Sequence, residues 1–346
     1  MFDRTDSKST NKCNIIGILK LLRVNLKGYR MVQKFCGIKV KSNFFLAPMA
    51  AVSSLPFRVM CKQMGAGLVF TEQINATQIS RKPELFSENK IFSIKTCKEE
   101  KPVCVQLFGT EPKDFAIATE IVEKKFEMIN INCGCPAKKE VKIGAGAALL
   151  KKPKKIVTIL EHIKSVSTKP VTAKIRLGWS KNEGVKIAKL IEKAGADALI
   201  VHGRTAEQGY SGKADLKAIK KIQDAIGIPI VANGDIVNAK SAMEILEKTN
   251  CEFGMIGRTA MTNPFIFKEI NEFEKGKEWL PTPKEKINAF FDYYALCKKF
   301  EMIKLSDLKL KAMNFTKGIN GIKKRRTALL ESKTIEEIKK IFEEIK

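Results

Sequence analysis

The sequence predicts an α/β protein: a (β/α)8 TIM barrel followed by a small all-helical domain. Eight short apolar runs alternate with segments of helical spacing, and most of these runs are near-continuous, as in strands buried on both faces of a parallel sheet. Prolines then interrupt the chain before a final helical stretch. A length of 346 residues suits such a barrel with an appendage.

The predicted strands leave room for one helix between each consecutive pair, which is the rhythm of βα units. They are Phe44–Ala50, Leu68–Glu72, Val103–Phe108, Met128–Gly134, Val171–Gly178, Ala198–Thr205, Ile228–Ile236 and Cys251–Arg258. An open doubly wound sheet would need a dinucleotide-binding fingerprint. The nearest candidate, at 144–149, lacks the third glycine, so we interpret it as a loop-to-helix turn.

The chain divides into three predicted segments. Residues 1–30 form a polar and then briefly apolar extension, which we expect to be poorly ordered and to lie outside the barrel. Residues 31–278 form the barrel. Residues 282–346 form the helical domain, in which Thr334 and Glu337 have the spacing of a capping box for the last helix.

Charge and cysteine content restrict the function classes. Lys and Arg number 63 against 37 acidic residues, a formal charge of +26, which favours a polyanionic partner. Composition alone does not separate RNA from DNA or an acidic membrane. The longest apolar stretch falls short of the roughly 18 residues of a transmembrane helix. Nine cysteines without Cys-x-x-Cys argue against a disulfide framework or zinc site. We therefore expect a cytoplasmic protein without a metal site.

Polar residues recur at the carboxyl ends of the predicted strands, where a TIM barrel forms its active site. The ends of the first six strands carry, in order, Ala47-Pro48-Met49-Ala50, Thr71-Glu72, Gln106, Asn132-Cys133-Gly134-Cys135, Lys174 with Arg176, and His202-Gly203-Arg204. A structural role for His202 and a ligand contact are both open. After the last two strands come Asn233, Gly234 and Asp235, then Gly257 and Arg258. Backbone N–H groups and a guanidinium at this position favour a phosphorylated cofactor.

Several motifs at these strand ends, in this order, resemble those of the tRNA-dihydrouridine synthase family. They are Ala-Pro-Met-Ala at 47–50 with Pro-Phe-Arg at 56–58, Val-Gln-Leu-Phe-Gly at 105–109, Asn-x-Gly-Cys-Pro-Ala-Lys at 132–138, Gly-Ala-Gly-Ala-Ala-Leu-Leu at 144–150, His-Gly-Arg-Thr at 202–205, Asn-Gly-Asp-Ile at 233–236 and Ile-Gly-Arg at 256–258. The resemblance covers the barrel and extends loosely into the tail.

The resemblance implies FMN as cofactor, NADPH as reductant and tRNA as substrate. It implies that FMN is held by Pro48, Met49, Ala50, Gln106, Lys174, His202, Asn233, Gly234, Asp235, Gly257 and Arg258. It also implies that Cys135 is the catalytic acid and Cys133 a bystander. The chemistry agrees, because hydride addition to C6 of uracil requires a proton at C5, and a thiol with an ordinary pKa of about 8.5 is protonated at neutral pH.

A uridine in folded tRNA must be extruded to react, so the enzyme needs contacts with the surrounding backbone. The predicted RNA contacts are Arg204, Lys317, Lys323, Lys324, Arg325 and Arg326. No membrane and no obligate protein partner are expected. Two alternatives remain at this point: a dihydroorotate-dehydrogenase-like FMN enzyme that acts on a free pyrimidine, and a non-catalytic RNA-binding barrel.

Overall fold

The computed structural model describes residues 33–87 and 94–345, so the predicted extension at 1–30 lies outside the described residues. Its strands are β1 (Gln33–Phe35), β2 (Ile38–Val40), β3 (Phe44–Leu46), β4 (Val69–Asn75), β5 (Val103–Phe108), β6 (Met128–Cys133), β7 (Val171–Arg176), β8 (Ala198–His202), β9 (Ile230–Asn233) and β10 (Phe253–Ile256). Strands β3 to β10 are parallel and close into a barrel, with β10 beside β3. The predicted (β/α)8 barrel is confirmed.

Helices follow the strands and then continue beyond the barrel. They are α1 (Leu55–Gln63), α2 (Ala76–Arg81), α3 (Glu84–Ser87), α4 (Pro112–Val122), α5 (Lys138–Lys142), α6 (Pro153–Val166), α7 (Gly184–Lys193), α8 (Leu216–Gln223), α9 (Ala239–Thr249), α10 (Arg258–Thr262), α11 (Ile266–Phe273), α12 (Pro283–Lys299), α13 (Leu305–Phe315), α14 (Lys323–Glu331) and α15 (Ile335–Ile345), with 3-10 helices at Lys98–Glu100 and Gly146–Lys151. Within the described ranges, none is long and apolar enough to cross a membrane.

The barrel interior is apolar at one end and polar at the other. Side chains two residues apart on a strand share a face. On β5 the inward Cys104 is therefore followed by Gln106, and on β8 Ile200 is followed by His202. Apolar side chains fill the end where the strands begin, and polar side chains fill the end where they finish. The alternation of each strand thus brings the predicted site residues to one mouth.

A short hairpin, β1–β2, covers the apolar end of the barrel. Cys36 and Gly37 at its turn both have positive φ, 49° and 80°, as a two-residue type I′ turn requires. Phe35 packs edge-on against Phe45 and Phe253, each with ring centroids 5.0 Å away. These strands were not predicted, because three residues each are too few to show a period.

The outer helices bury one apolar stripe each. On α7, Ile187 and Ile191 are buried against the barrel, while Lys186, Lys189 and Lys193 lie toward solvent. This matches the stripe expected from the 3.6-residue period. Helix α6 has the same arrangement, with Ile156, Ile159 and Ile163 buried on one face.

Helices α12 to α15 form the predicted all-helical tail. A capping box that the sequence analysis missed starts α12: the Thr282 side chain accepts from Glu285 N, and the Glu285 carboxylate accepts from Thr282 N. The predicted box before α15 is half formed. Glu337 N donates to Thr334 Oγ1 at 3.2 Å, but the Glu337 carboxylate accepts from Lys333 N instead of Thr334 N.

The tail packs on α1 through a buried polar cluster. Tyr293 on α12 donates its hydroxyl hydrogen to Asp307 at 2.5 Å and lies 3.3 Å from Ser54 Oγ. Lys311 on α13 is fully buried, and its ammonium lies 3.4 Å from the ring centroid of Phe57. Burial lowers the pKa of Lys311 to about 8. A cation over an aromatic face is attractive, and desolvation strengthens the attraction.

A fully buried ion pair ties α1 to the 3-10 helix before β5. Arg58 donates to Glu100 at 2.6 and 3.1 Å, and neither side chain is exposed. Its guanidinium also donates to the carbonyl oxygens of Ser53 and Lys95. The guanidinium and the carboxylate therefore both have hydrogen-bond partners. A buried charge is tolerated under this condition.

We predict that Glu100→Ala lowers the free energy of unfolding by about 3–5 kcal/mol, because it leaves the buried Arg58 guanidinium unpaired. Urea titration monitored by circular dichroism measures this change. The exposed pair of Lys220 and Asp224 provides the control, since Asp224→Ala should cost no more than about 0.5 kcal/mol. Equal losses in the two variants would contradict a structural role for the buried pair.

Candidate active site

Lys174 on β7 lies at the polar end of the barrel. Its ammonium donates to Asn233 Oδ1 at 2.9 Å, and Asn233 Nδ2 donates to the carbonyl oxygen of Met255 at 2.8 Å. These bonds connect β7, β9 and β10. Burial, with a smaller contribution from Arg176, lowers the pKa of Lys174 to about 7. The amine can therefore gain a proton when a negative group comes close.

Gln106 on β5 has its amide fixed by neighbouring strands. Its Nε2 donates to Asn130 Oδ1 at 2.7 Å, and Asn130 Nδ2 donates to Thr172 Oγ1 at 2.8 Å. Because Nε2 is engaged in this way, the position of the Gln106 carbonyl oxygen is also set. The structure thus places Gln106 and Lys174 in the same polar end of the barrel, as the alternation predicts.

His202 at the end of β8 lies among cations. Burial, followed by Lys174, Arg176 and Arg204, lowers the pKa of His202 to about 2. The imidazole is therefore neutral at physiological pH. Its Nε2 lies 3.3 Å from Arg204 Nη1. A neutral ring that accepts from this guanidinium has its remaining N–H free to donate, so a structural role and a ligand contact are compatible.

Arg204 lies inside the site and not on the surface, being 2% exposed. Its Nη2 donates to both carboxylate oxygens of Asp235 at 2.8 Å and to the carbonyl oxygen of Gly212, while Nε donates to that of Ser211. The prediction that Arg204 contacts RNA needs correction for this reason, because the guanidinium is enclosed and occupied. Arg204 instead holds Asp235 and the loop after β8.

The loops after β9 and β10 lie side by side. Gly234 has φ +126°, and a Cβ there would lie 2.8 Å from Ala214 Cβ, so the turn requires glycine. Burial would raise the pKa of Asp235, but the Ala214 N–H and Arg204 lower it overall. The Arg258 side chain is 53% exposed and donates to Asp235 at 3.3 Å. Most of its guanidinium is left for an external anion.

The loop after β3 lies beside the loop after β10. Met49 N donates to Ser53 Oγ at 2.9 Å, and Ala51 N, at a positive φ of 57°, donates to Glu72 Oε2 at 2.6 Å. A Cβ on Gly257 would lie 3.7 Å from Met49 Sδ. The predicted residues at 48–50 therefore form one wall next to the loop after β10.

The two cysteines after β6 differ in position. Cys133 is completely buried in the apolar layer outside the barrel, whereas Cys135 is half-buried. Burial raises the pKa of Cys135 and raises that of Cys133 further above the ordinary thiol value. Both thiols are thus protonated at neutral pH, but only Cys135 is reachable from the mouth.

The loop that carries Cys135 is held at three points. Asn132 Oδ1 accepts from Cys135 N at 3.0 Å, Arg176 Nε donates to the Gly134 carbonyl oxygen at 3.0 Å, and Ala147 N donates to the Cys135 carbonyl oxygen at 2.8 Å. A Cβ on Gly146 would lie 2.7 Å from that last oxygen. The glycine-alanine run is thus a support for this loop and not a nucleotide fingerprint.

Tyr210 lies in the site although the sequence did not predict it there. Its side chain is 59% exposed, and its ring centroid lies 4.5 Å from the Arg258 guanidinium and 5.6 Å from that of Arg176. Tyr210 is the aromatic residue of a loop with left-handed glycines at 209 and 212. The sequence signal that could have identified Tyr210 is an aromatic residue between two glycines, shortly after the strand-end residues His202-Gly203-Arg204.

Two of the predicted RNA-binding cations are engaged within the tail. Arg326 Nη1 donates to the Met313 carbonyl oxygen at 2.5 Å and to Thr316 Oγ1 at 3.1 Å. Arg325 forms an exposed ion pair with Glu344 at 3.0 Å. Arg326 therefore stabilises the tail through Nη1, and its phosphate contact stays a prediction.

The remaining predicted tail cations are in solvent. Lys317, Lys323 and Lys324 are all exposed, and the last two begin α14. Helix α13, which precedes them, packs against α10 at the loop after β10. The tail and the barrel mouth are thus connected through these two helices.

Comparison with known proteins supports one family. The sequence profile described as Dihydrouridine synthase matches residues 45–345. The tRNA-dihydrouridine synthase B of Pseudomonas putida is 38% identical over 248 residues, 71% of this chain and 72% of that protein. That of Pasteurella multocida is 38% identical over 261 residues, 74% of this chain and 77% of that protein. A probable tRNA-dihydrouridine synthase of Rickettsia bellii is 37% identical over 275 residues, 75% and 83%.

Solved structures share the fold at low sequence identity. Histamine dehydrogenase from Rhizobium sp. 4-9 superposes with a TM-score of 0.53 at 14% identity, covering 76% of this chain and 50% of that chain. A 2-naphthoyl-CoA reductase superposes with a TM-score of 0.55 at 11% identity, covering 71% and 52%. These likenesses concern the barrel. By the match along almost all of its described residues, the chain belongs to the dihydrouridine synthase family.

Proposed function

We propose that the protein reduces the C5–C6 double bond of uridines in tRNA to 5,6-dihydrouridine, with FMN as cofactor and NADPH as reductant. One observation carries the proposal beyond family membership. A protonated, half-buried thiol, Cys135, is fixed at the mouth of a barrel whose polar end holds Lys174 and Gln106. The cytoplasm is the proposed compartment, because tRNA is the proposed substrate.

The residues present fit FMN. The loops after β9 and β10, which carry Gly234 and Gly257, can offer backbone N–H groups to a phosphate, and Arg258 offers an exposed guanidinium beside them. Lys174 and Gln106 offer a cation and an amide to the edge of a flavin ring, and the residues at 48–50 form a neighbouring wall. Bound FMN would supply the hydride that adds to C6 of the uracil.

Cys135 then supplies the proton at C5. Addition of hydride at C6 moves negative charge toward C5 and O4, and the thiol Sγ–H releases its proton to C5. The buried Glu140 nearby raises the pKa of Cys135, after the larger effect of desolvation, while Lys174 and Arg176 lower it. The thiol is therefore kept protonated. Lys174 and Arg176 can stabilise the thiolate that remains after proton transfer.

The substrate base must leave the tRNA stack and enter the mouth. Tyr210 presents an exposed flat face beside Arg176 and Arg258, and base–aromatic stacking is sequence-tolerant. We further propose that residues 31–278 are the FMN-binding domain and that residues 282–346 bind tRNA. Of the cations predicted to contact RNA in the tail, Lys317, Lys323 and Lys324 are exposed and available for phosphates.

The direct test measures dihydrouridine by mass spectrometry after the purified protein, NADPH and unmodified tRNA are mixed. We expect Cys135→Ala to bind flavin and accept electrons from NADPH, but to form product about 10²- to 10⁴-fold more slowly. Cys133→Ala is the matched control and should stay near the parent rate. Because burial raises the pKa of Cys135, parental activity should persist above pH 8.5, the approximate ordinary thiol pKa. A fully active Cys135→Ala would contradict the assignment.

Arg258→Ala should weaken flavin binding by about 10- to 100-fold, since it removes a charge-assisted hydrogen bond. Fluorescence of FMN released on dilution measures this affinity. Arg258→Lys keeps the charge and should lose less, and Lys181→Ala removes an exposed cation from the loop after β7 and should change nothing. Parental affinity in Arg258→Ala would place the phosphate elsewhere.

Replacing Lys317, Lys323 and Lys324 together with glutamine should weaken tRNA binding and reduce its salt dependence, by about one log–log unit for each phosphate that is no longer neutralised. Filter binding at several salt concentrations measures both. The control carries glutamine at Lys217, Lys220 and Lys221, which lie on α8. Arg326 is left intact, because its loss would disturb the tail itself. An unchanged salt slope would show that RNA binds elsewhere.

A further inference from the structure

A bulge in β4 turns one side chain toward the Cys135 loop. The pairing of β4 with β5 shifts register between Phe70 and Gln73, after which Gln73 lies opposite Gln106. Bulges next to active sites redirect side chains in this way. Regular alternation from the inward Phe70 would have pointed Glu72, and not Gln73, into the barrel mouth.

Gln73 lies in the middle of a chain of hydrogen bonds. Its Nε2 donates to Glu140 Oε1 on α5 at 2.7 Å, and its Oε1 accepts from Asn132 Nδ2 at 2.5 Å. Asn132 Oδ1 in turn accepts from Gly134 N at 3.1 Å and from Cys135 N at 3.0 Å. Two amide side chains thus connect a carboxylate to the backbone of the Cys135 loop.

The direction of this chain is set at one end. An ionised carboxylate only accepts hydrogen bonds, so Glu140 requires Gln73 to present its NH₂ group. The Gln73 oxygen must then face Asn132, which in turn presents its own NH₂ group and leaves its oxygen for Cys135 N. If Asn132 were reversed, its NH₂ group would meet two backbone N–H groups and the loop would lose both bonds.

Glu140 is an unusual residue for this place. It is 9% exposed, and its second oxygen, Oε2, has no hydrogen-bond partner within residues 33–87 and 94–345. A buried polar atom without a partner is costly and calls for an explanation. The charged groups acting on the Cys135 thiol are Glu140 from α5 and Lys174 and Arg176 from β7. Glu140 is the one among them that opposes ionisation of the thiol.

We propose that Glu140 and Gln73 are positioning residues that orient Asn132 and thereby hold the Cys135 thiol in place for proton transfer. The proposal rests on the proposed function for the meaning of the thiol, but the hydrogen-bond chain itself is independent of it. Neither residue touches the reacting atoms. Their contribution is to the geometry of the loop and to the charge beside it.

The test compares Gln73→Glu with the double variant Gln73→Glu/Glu140→Gln. In the single variant two carboxylates face each other, so the bond between positions 73 and 140 is lost and their repulsion displaces the group that accepts from Asn132. In the double variant the new amide at position 140 donates to the new carboxylate at position 73, which again accepts from Asn132, so the direction is restored. We expect product formation from pre-reduced enzyme to fall roughly 10- to 100-fold in the single variant and to recover in the double variant. Flavin reduction by NADPH should be unchanged in both.

A second measurement does not depend on activity. The rate of Cys135 alkylation by iodoacetamide, followed by peptide mass spectrometry against pH, should have a lower midpoint in Glu140→Gln than in the parent, because a negative charge beside the thiol is removed. A parent that forms no dihydrouridine would refute the proposed function alone. An unchanged alkylation midpoint in Glu140→Gln, or a double variant no faster than Gln73→Glu, would overturn the positioning role.

Discussion

The barrel closes where β10 pairs with β3, and every functional position depends on that closure. Gly254 lies opposite Phe44 in this pairing, and a Cβ on Gly254 would lie 2.7 Å from the Phe44 ring. The seam therefore requires a residue without a side chain. Once closed, eight parallel strands end at one mouth, and side chains that are distant in sequence share a single small volume.

That shared volume has a particular electrostatic character. Burial acts against the charge on Lys174, and burial together with the surrounding cations acts against a charge on His202. Asp235, held by Arg204 and approached by Arg258, is the nearby anion that the structure pairs with two of these cations. Two guanidinium groups thus share one carboxylate, which leaves positive charge for a phosphorylated cofactor and a polyanionic substrate. The net charge of +26 extends this preference to the whole chain.

The sequence predicted what depends on local pattern. Strand positions follow from runs of apolar residues, and the inward direction of Gln106 and Lys174 follows from alternation. What depends on tertiary pairing was not predictable. Arg204 and Arg326 read as surface cations, because nothing in their neighbourhood shows that Asp235 and Met313 will accept their hydrogen bonds. The role of Gln73 was not predictable for a related reason. A bulge shifts the register of β4 against β5, and the alternation of apolar and polar residues does not reveal this shift.

The buried contact between the tail and α1 limits how the protein can be divided. Phe57 is fully buried, with Lys311 over one face of its ring, and Ser54 lies beside the Tyr293 hydroxyl. A barrel separated from its tail would expose this aromatic surface to water. A tail taken from a relative would have to match it residue by residue. The tail and the first helix of the barrel therefore form one packing unit, so a chimaera should exchange the two together.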